Sequence, residues 1–229
     1  MNRVQVLVEG ETELDFVKEV LCPHLAPKGV AVGVSLFGGR SGGIVRWPRA
    51  LKRICLQMKE DQATYVTTFV DYYGLPESWP GRNTAGSRSY SERSAHITEH
   101  LAAAVAAEIG DRMRPCRFIP FVMIHEFETL IFSDPKGCAR AWALPEIEPA
   151  LSAVCREFVS PEQINDSPST APSKRLISIF AGLAQFSYNK RHHGNLAALE
   201  FGIENLVAAC PQFGAWVRRL EGLGADPSI

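Results

Sequence analysis

Apolar residues fall in short dense runs through the first half of the chain and at helical spacing through the second. Val4-Gln5-Val6-Leu7-Val8 is nearly continuous and rich in β-branched residues, the pattern of a parallel strand buried on both faces. It closes at Glu9-Gly10. Leu14, Phe16, Val17, Val20 and Leu21 then recur at helical spacing up to Pro23. A second strand is predicted over 30–37, followed by the turn-rich Gly38-Gly39-Arg40-Ser41-Gly42-Gly43. A helix is predicted over 48–59, with Leu51, Ile54, Cys55 and Met58 as its apolar stripe. The third strand, 65–70, stops at Asp71, and a polar loop runs from Gly74 to about Ser89. An Ala-rich helix over 91–109 is entered through Ser91-Glu92-Arg93. A fourth strand spans about 117–124, and Pro120, lacking a ladder N–H, puts it at an edge. His125 to Phe132 either prolongs this strand or turns into a short helix.

Strands alternating with helices at this spacing predict an α/β fold, a Rossmann-like and mainly parallel sheet flanked by helices. After Pro135 the strand pattern stops. Helical spacing takes over, broken by the Ser/Pro-rich loop 165–174. The expected organisation is an α/β core of residues 1–135 and a helical C-terminal extension, 136–229, packed on it.

Composition narrows the function. With 24 Lys+Arg against 25 Asp+Glu the net charge is −1, so there is no global basic field and nucleic-acid contact would need a local patch. The six cysteines are widely spaced without a C-x-x-C pair, which fits neither a zinc module nor a disulfide-stapled secreted domain. Met1 runs almost directly into the first strand, leaving no signal peptide. No apolar stretch approaches the ~20 residues of a membrane helix. A cytoplasmic protein without membrane contact is expected, and a homodimer is left open.

The acids carry the candidate chemistry. In an open parallel sheet, ligands bind outside the carboxyl ends of the strands. Glu9 ends the first strand, Asp71 the third, and Glu126 and Glu128 follow the fourth. Clustered carboxylates repel one another unless a cation neutralises them. Oxygen ligands without nearby His or Cys favour Mg²⁺ or Mn²⁺ over zinc. The competing explanation is a first-turn acid favoured by the helix dipole, which suffices for any one position but less well for all together. If 125–132 is helical, Glu126 and Glu128 point about 200° apart, and only one faces the metal. Phe127, Leu130 and Ile131 then form one apolar stripe, so a helix is favoured, with Glu126 as the inward acid.

Val8-Glu9-Gly10-Glu11-Thr12-Glu13 resembles the first signature of the Toprim domain of the overcoming-lysogenization-defect nucleases. Phe69-Val70-Asp71-Tyr72-Tyr73-Gly74-Leu75-Pro76 and the run from Ile124 to Pro135 resemble a Toprim-like family of uncharacterised bacterial proteins. These are often encoded beside ABC-type or related ATPases, including in defence loci. The resemblance extends to Pro172-Ser173-Lys174-Arg175-Leu176 and to Tyr188-Asn189-Lys190-Arg191-His192-His193-Gly194. It implies a Toprim-like fold, Glu9 as metal ligand or general base, and Asp71 as the first acid of the Asp-x-Asp signature. Tyr73 stands where Toprim enzymes carry the second Asp. Glu13, one turn beyond Glu9, is a candidate replacement, as are Glu126 and Glu128.

Further candidates are phosphate-binding. The glycine-rich turn exposes backbone N–H groups and carries Arg40, although a plain flexible turn explains it too. Arg46, Arg49, Lys52 and Arg53 form a basic stripe that suits either solvent or a phosphate backbone. Ser173, Lys174 and Arg175 open a helix after Pro172, where orphan N–H groups would hold an anion; Ser173 reads equally as an N-cap. Lys174 or Arg175 would steady developing negative charge. Tyr188, Lys190 and His193 are polar and aromatic candidates for substrate contact. Tyr72, Tyr73 and Trp79 are placed either to stack on bases or to pack the 74–89 loop. The expected function is a Mg²⁺- or Mn²⁺-dependent phosphodiester enzyme, a nuclease coupled to an ATPase partner. The alternatives are a non-catalytic Toprim-like subunit of an ATPase complex and hydrolysis of a small nucleotide.

Overall fold

The structure is a computed structural model that describes residues 2–39, 42–110, 114–164, 167, 169–183 and 186–225. The chain divides into two compact units, residues 1–124 with 218–229, and residues 125–217. The sequence pattern alone set its division near 135.

In the first unit, β1 (Asn2–Val8) runs parallel to β2 (Val30–Leu36) on one side and β3 (Thr64–Asp71) on the other, with Val8 level with both Leu36 and Phe69. β4 (Phe118–Ile119) and β5 (Val122–Met123) pair in parallel with β3. The order is β2-β1-β3-β4, a Rossmann-like α/β fold, as the strand–helix alternation predicts. Leu7, Val66 and Val70 bury one sheet face against Ala50, Ile54 and Met58 of α3 (Trp47–Glu60) and Ile97, Leu101 and Val105 of α5 (Tyr90–Ile109). On the other face Phe69 meets Phe16 of α1 (Glu11–Phe16) edge-on at 5.8 Å.

Three local departures from the predicted elements have physical causes. The first helix does not stop at Pro23 but continues from α1 through a π turn (Val17–Leu21) into α2 (Cys22–Leu25). The Cys22 amide reaches back to the Val17 carbonyl, so the ladder is already open where proline lacks its N–H. The entry to α5 lies two residues before the predicted one: Ser89 is the N-cap, and the Glu92 carboxylate accepts its N–H at 3.1 Å. The fourth strand is split by Pro120 into β4 and β5. There the Thr68 hydroxyl accepts the Phe121 N–H at 3.0 Å and donates to the Phe121 carbonyl at 2.8 Å, replacing the missing ladder bonds. The 74–89 loop also contains a short helix, α4 (Arg82–Ala85).

The second unit is helical, with no strand among its described residues. A 3₁₀ segment (Phe127–Ser133) leads into α6 (Pro135–Ala141), α7 (Glu148–Cys155), α8 (Pro172–Ala181), α9 (Lys190–Phe201) and α10 (Ile203–Ala209). In α11 (Pro211–Gly222) the division at 217/218 falls. Three thiols hold the 3₁₀ segment. Cys138 donates to the Ile131 carbonyl at 3.2 Å, Cys155 to that of Phe132 at 3.1 Å, and Cys210 lies 3.4 Å from the Ser133 hydroxyl. Burial pushes the Cys155 thiol up to about 11 and that of Cys210 to about 12, so both stay protonated and unreactive at neutral pH. All six cysteines are free. Among the described residues no helix is long and apolar enough to cross a membrane.

Candidate functional site

The strand order fixes where a ligand would sit. The chain steps from β1 outward to β2, then returns past β1 to β3 and continues the opposite way. The order therefore reverses between β1 and β3, and the crevice beyond their carboxyl ends is the usual ligand position in such a sheet. Glu9 follows β1 and Asp71 is the last residue of β3. Both acids stand at this crevice.

Strand alternation alone would send Glu9 and Asp71 to opposite faces. Glu9, however, lies in a bend, and its carboxylate turns onto the loop that Asp71 opens. A methyl group on Gly74 would sit 3.1 Å from one Glu9 carboxylate oxygen and 3.4 Å from the other. A side chain there would press on the carboxylate, which glycine avoids. The bend is held from two sides. The Gly43 N–H donates to the Glu9 carbonyl at 2.8 Å, from a φ of 82° that favours glycine. The Glu13 carboxylate accepts the Gly10 N–H at 3.0 Å, so this buried acid acts as a cap. Asp71 is 8% exposed, and the Tyr72 N–H beside it is bonded to the Met123 carbonyl at 2.7 Å. Among the described residues no group of three or more His, Cys, Asp or Glu side chains is placed to hold a metal ion.

The surroundings bear on two readings that the sequence left open. The glycine-rich turn spends amides internally, Gly42 on the Gly39 carbonyl and Gly43 on that of Glu9, which leaves those two unavailable to a phosphate. Arg40 lies outside the described residues. Of the three aromatics, Tyr72 and Trp79 are core. Tyr72 lies under the Arg82 guanidinium at 4.1 Å, and the Trp79 indole donates to the Val45 carbonyl at 2.8 Å. Only Tyr73 is open, 45% exposed. Arg46, Arg49 and Lys52 are exposed at the start of α3, and Arg53 leans back toward the Phe37 carbonyl.

The remaining candidates lie in the second unit, where most have partners of their own. Residues 127–133 form a 3₁₀ segment in place of the favoured α-helix, with Glu126 as its extended cap. The Glu126 carboxylate accepts the Ser173 N–H at 2.9 Å. The anion at the start of α8 is thus the protein's own, and Ala171, not Ser173, is the N-cap. Glu128 is 1% exposed and meets the Lys190 ammonium at 3.1 Å. Burial raises its pKa, with Lys190 pulling it back down. Arg175 donates to Glu157 at 3.2 Å and to the Thr170 carbonyl at 3.0 Å. Lys174 is exposed. Tyr188 and His193 stack at 5.7 Å beside Phe180 and Trp142, and burial depresses the His193 pKa and raises that of Tyr188. Adjacent candidates in sequence are here packing partners.

The sequence reading missed Gly74 as a site residue. Its signal was the Asp-Tyr-Tyr-Gly run, in which a glycine three positions after a strand-ending acid admits another group close to the backbone. It also missed Arg117, buried at 1% exposure and donating to the carbonyls of Met58, Asp61 and Thr64.

The protein is thus an α/β protein whose parallel sheet carries a glutamate and an aspartate at its switch point, the edge at which ligands commonly bind in such sheets. Its sequence matches the model of the family described as "Domain of unknown function (DUF4276)" over residues 8–221, and the chain belongs to that family. No curated protein and no solved structure matches it.

Proposed function

We propose that this chain is a metal-dependent phosphodiester-cleaving enzyme of Toprim type, a cytoplasmic nuclease working with an ATPase partner. One observation carries the reading: Glu9 and Asp71 end the two strands that flank the switch point, and the Glu9 carboxylate lies against Gly74 in the loop that Asp71 opens. The donor set fits Mg²⁺ or Mn²⁺. Magnesium is commonly held by one or two carboxylates, with waters and substrate phosphate completing its shell, so a third protein acid is not required. When bound, such an ion stabilises charge on a phosphoryl oxygen and lowers the pKa of water. The protein's own part is to aim the two carboxylates. Glu13 fixes the bend through Gly10, Gly43 fixes the Glu9 carbonyl, and Gly74 leaves the carboxylate room. Lys174 is not needed for this reading.

A non-catalytic subunit of an ATPase complex is the second reading. It is favoured by Tyr73 in place of the second acid and by the lack of a three-residue ligand group among the described residues. Titration with Mg²⁺ and Mn²⁺, paired with plasmid and tRNA cleavage, separates the two. Metal-dependent cleavage is expected, with Glu9→Gln and Asp71→Asn each losing at least about a hundredfold in rate while retaining native circular dichroism. If the wild-type chain cleaves neither polymer nor a small nucleotide with either metal, and binds the ATPase as well as Glu9→Gln does, the enzyme reading fails.

A further inference from the structure

We infer that the substrate of this site is a single-stranded polynucleotide, its backbone held on a ridge formed by Arg46, Arg49 and Lys52 and one base stacked on Tyr73. The inference rests on the proposed function for the position of the scissile phosphate, at Glu9 and Asp71.

Helix stability gives no reason for these cations to be where they are. Arg46 is the N-cap of α3 and Arg49 lies in its first turn, which contains no acid. Positive charge there opposes the helix dipole. Nor do they neutralise acids: among the described residues Arg46, Arg49 and Lys52 form no ion pair, and all three are exposed. Spaced three residues apart, they run ~9 Å along the helix. A chain of net charge −1 has concentrated unpaired cations on one short ridge.

The ridge begins at the correct edge. α3 follows β2, so its first turn lies at the carboxyl end of the sheet, as do Glu9 and Asp71. Hydrogen bonds tie it to the loop after Asp71: the Trp47 N–H donates to the Ser78 hydroxyl at 3.2 Å, and the Trp79 indole to the Val45 carbonyl at 2.8 Å. That loop also carries Tyr73. Its ring stays open while its neighbours Tyr72 and Leu75 are buried, and Gly74, the next residue, is the one against the Glu9 carboxylate. An exposed aromatic two residues after Asp71, and next to the glycine that meets the Glu9 carboxylate, is placed to stack on a base beside the cleaved bond. Bases in a duplex are already stacked on one another, so a flexible strand suits this arrangement. An acidic protein surface would use the cations but have no use for Tyr73.

The test measures equilibrium binding by the full chain in EDTA, where metal-dependent cleavage cannot occur. Fluorescent oligothymidylate and oligouridylate serve as probes, against a duplex of equal length and with polyglutamate as competitor. Single strands should bind about tenfold tighter than duplex. The triple variant Arg46→Ala, Arg49→Ala, Lys52→Ala should lower affinity by more than about tenfold and reduce the salt slope by about 2, at ~0.7 per phosphate. Tyr73→Ala should cost about tenfold, and Tyr73→Phe should bind like wild type. The two probes show whether ribose or deoxyribose is preferred. Equal duplex binding, a neutral Tyr73→Ala, an unchanged salt slope in the triple variant or full displacement by polyglutamate would each overturn the inference, the last pointing to an acidic protein partner. A protein that binds as described but never cleaves would defeat the enzyme reading and leave only the strand-binding surface standing. Cleavage without these binding effects would do the reverse.

Discussion

Glu128 and Lys190 are 62 positions apart in sequence and 3.1 Å apart in space. Burial raises the glutamate's pKa. A folded pKa above the unfolded one means the group's contribution is fully present below the ordinary carboxylate range and is lost as pH rises through the folded value. At neutral pH Glu128 therefore weakens the second unit, and Lys190, itself 39% exposed, limits the damage. Lys190→Met should cost about 1–3 kcal/mol near pH 8, less than a fully buried pair because solvent screens the ammonium. The cost should shrink at acidic pH, where Glu128 takes up a proton. In a Glu128→Gln background it should nearly vanish. Urea unfolding of the four proteins at both pH values checks this, and an equal cost at both would show the pair is not coupled through the carboxylate's charge. Residue identities at strand ends were legible in the sequence because burial pattern and residue type together mark them. Partnerships were not. Nothing in Ser173 or Glu126 announces a hydrogen bond across 47 positions, and so residues picked for substrate contact prove to hold one another.

Thr68 sits mid-strand in β3 with a fully buried hydroxyl that serves both backbone groups of Phe121. Thr68→Val keeps the shape and strands a buried N–H and C=O, which should destabilise the protein by about 2–4 kcal/mol. Thr68→Ser should retain most of the stability. Thermal or urea melts decide it, and a valine variant as stable as wild type would mean the Pro120 break is satisfied some other way. At this scale β1, β2 and β3 were readable within a residue or two, because each is a short run dominated by β-branched and apolar residues, although β2 is an only part-buried edge strand. Irregular pieces were less so. A π turn that carries a helix through Pro23, and a 3₁₀ segment with an α-like apolar stripe, depend on hydrogen-bond registers that residue type does not encode.

For the molecule as a whole, the switch point was implied by the strand–helix alternation, but only the order β2-β1-β3-β4 places Glu9 beside Asp71. If the pair holds a divalent ion, folding and binding are linked. Mn²⁺ at a hundredfold its Kd should add about 2.7 kcal/mol of stability, several degrees in Tm, and Glu9→Gln and Asp71→Asn should abolish the gain. An equal shift in all three proteins would locate the ion elsewhere. The broken outer strand has a different consequence. β4 and β5 are two residues each, and the proline between them offers no N–H. A neighbouring copy seeking to extend the sheet on that side finds no continuous template to copy. Fibril-like growth through this border is thereby discouraged, even when the protein is crowded.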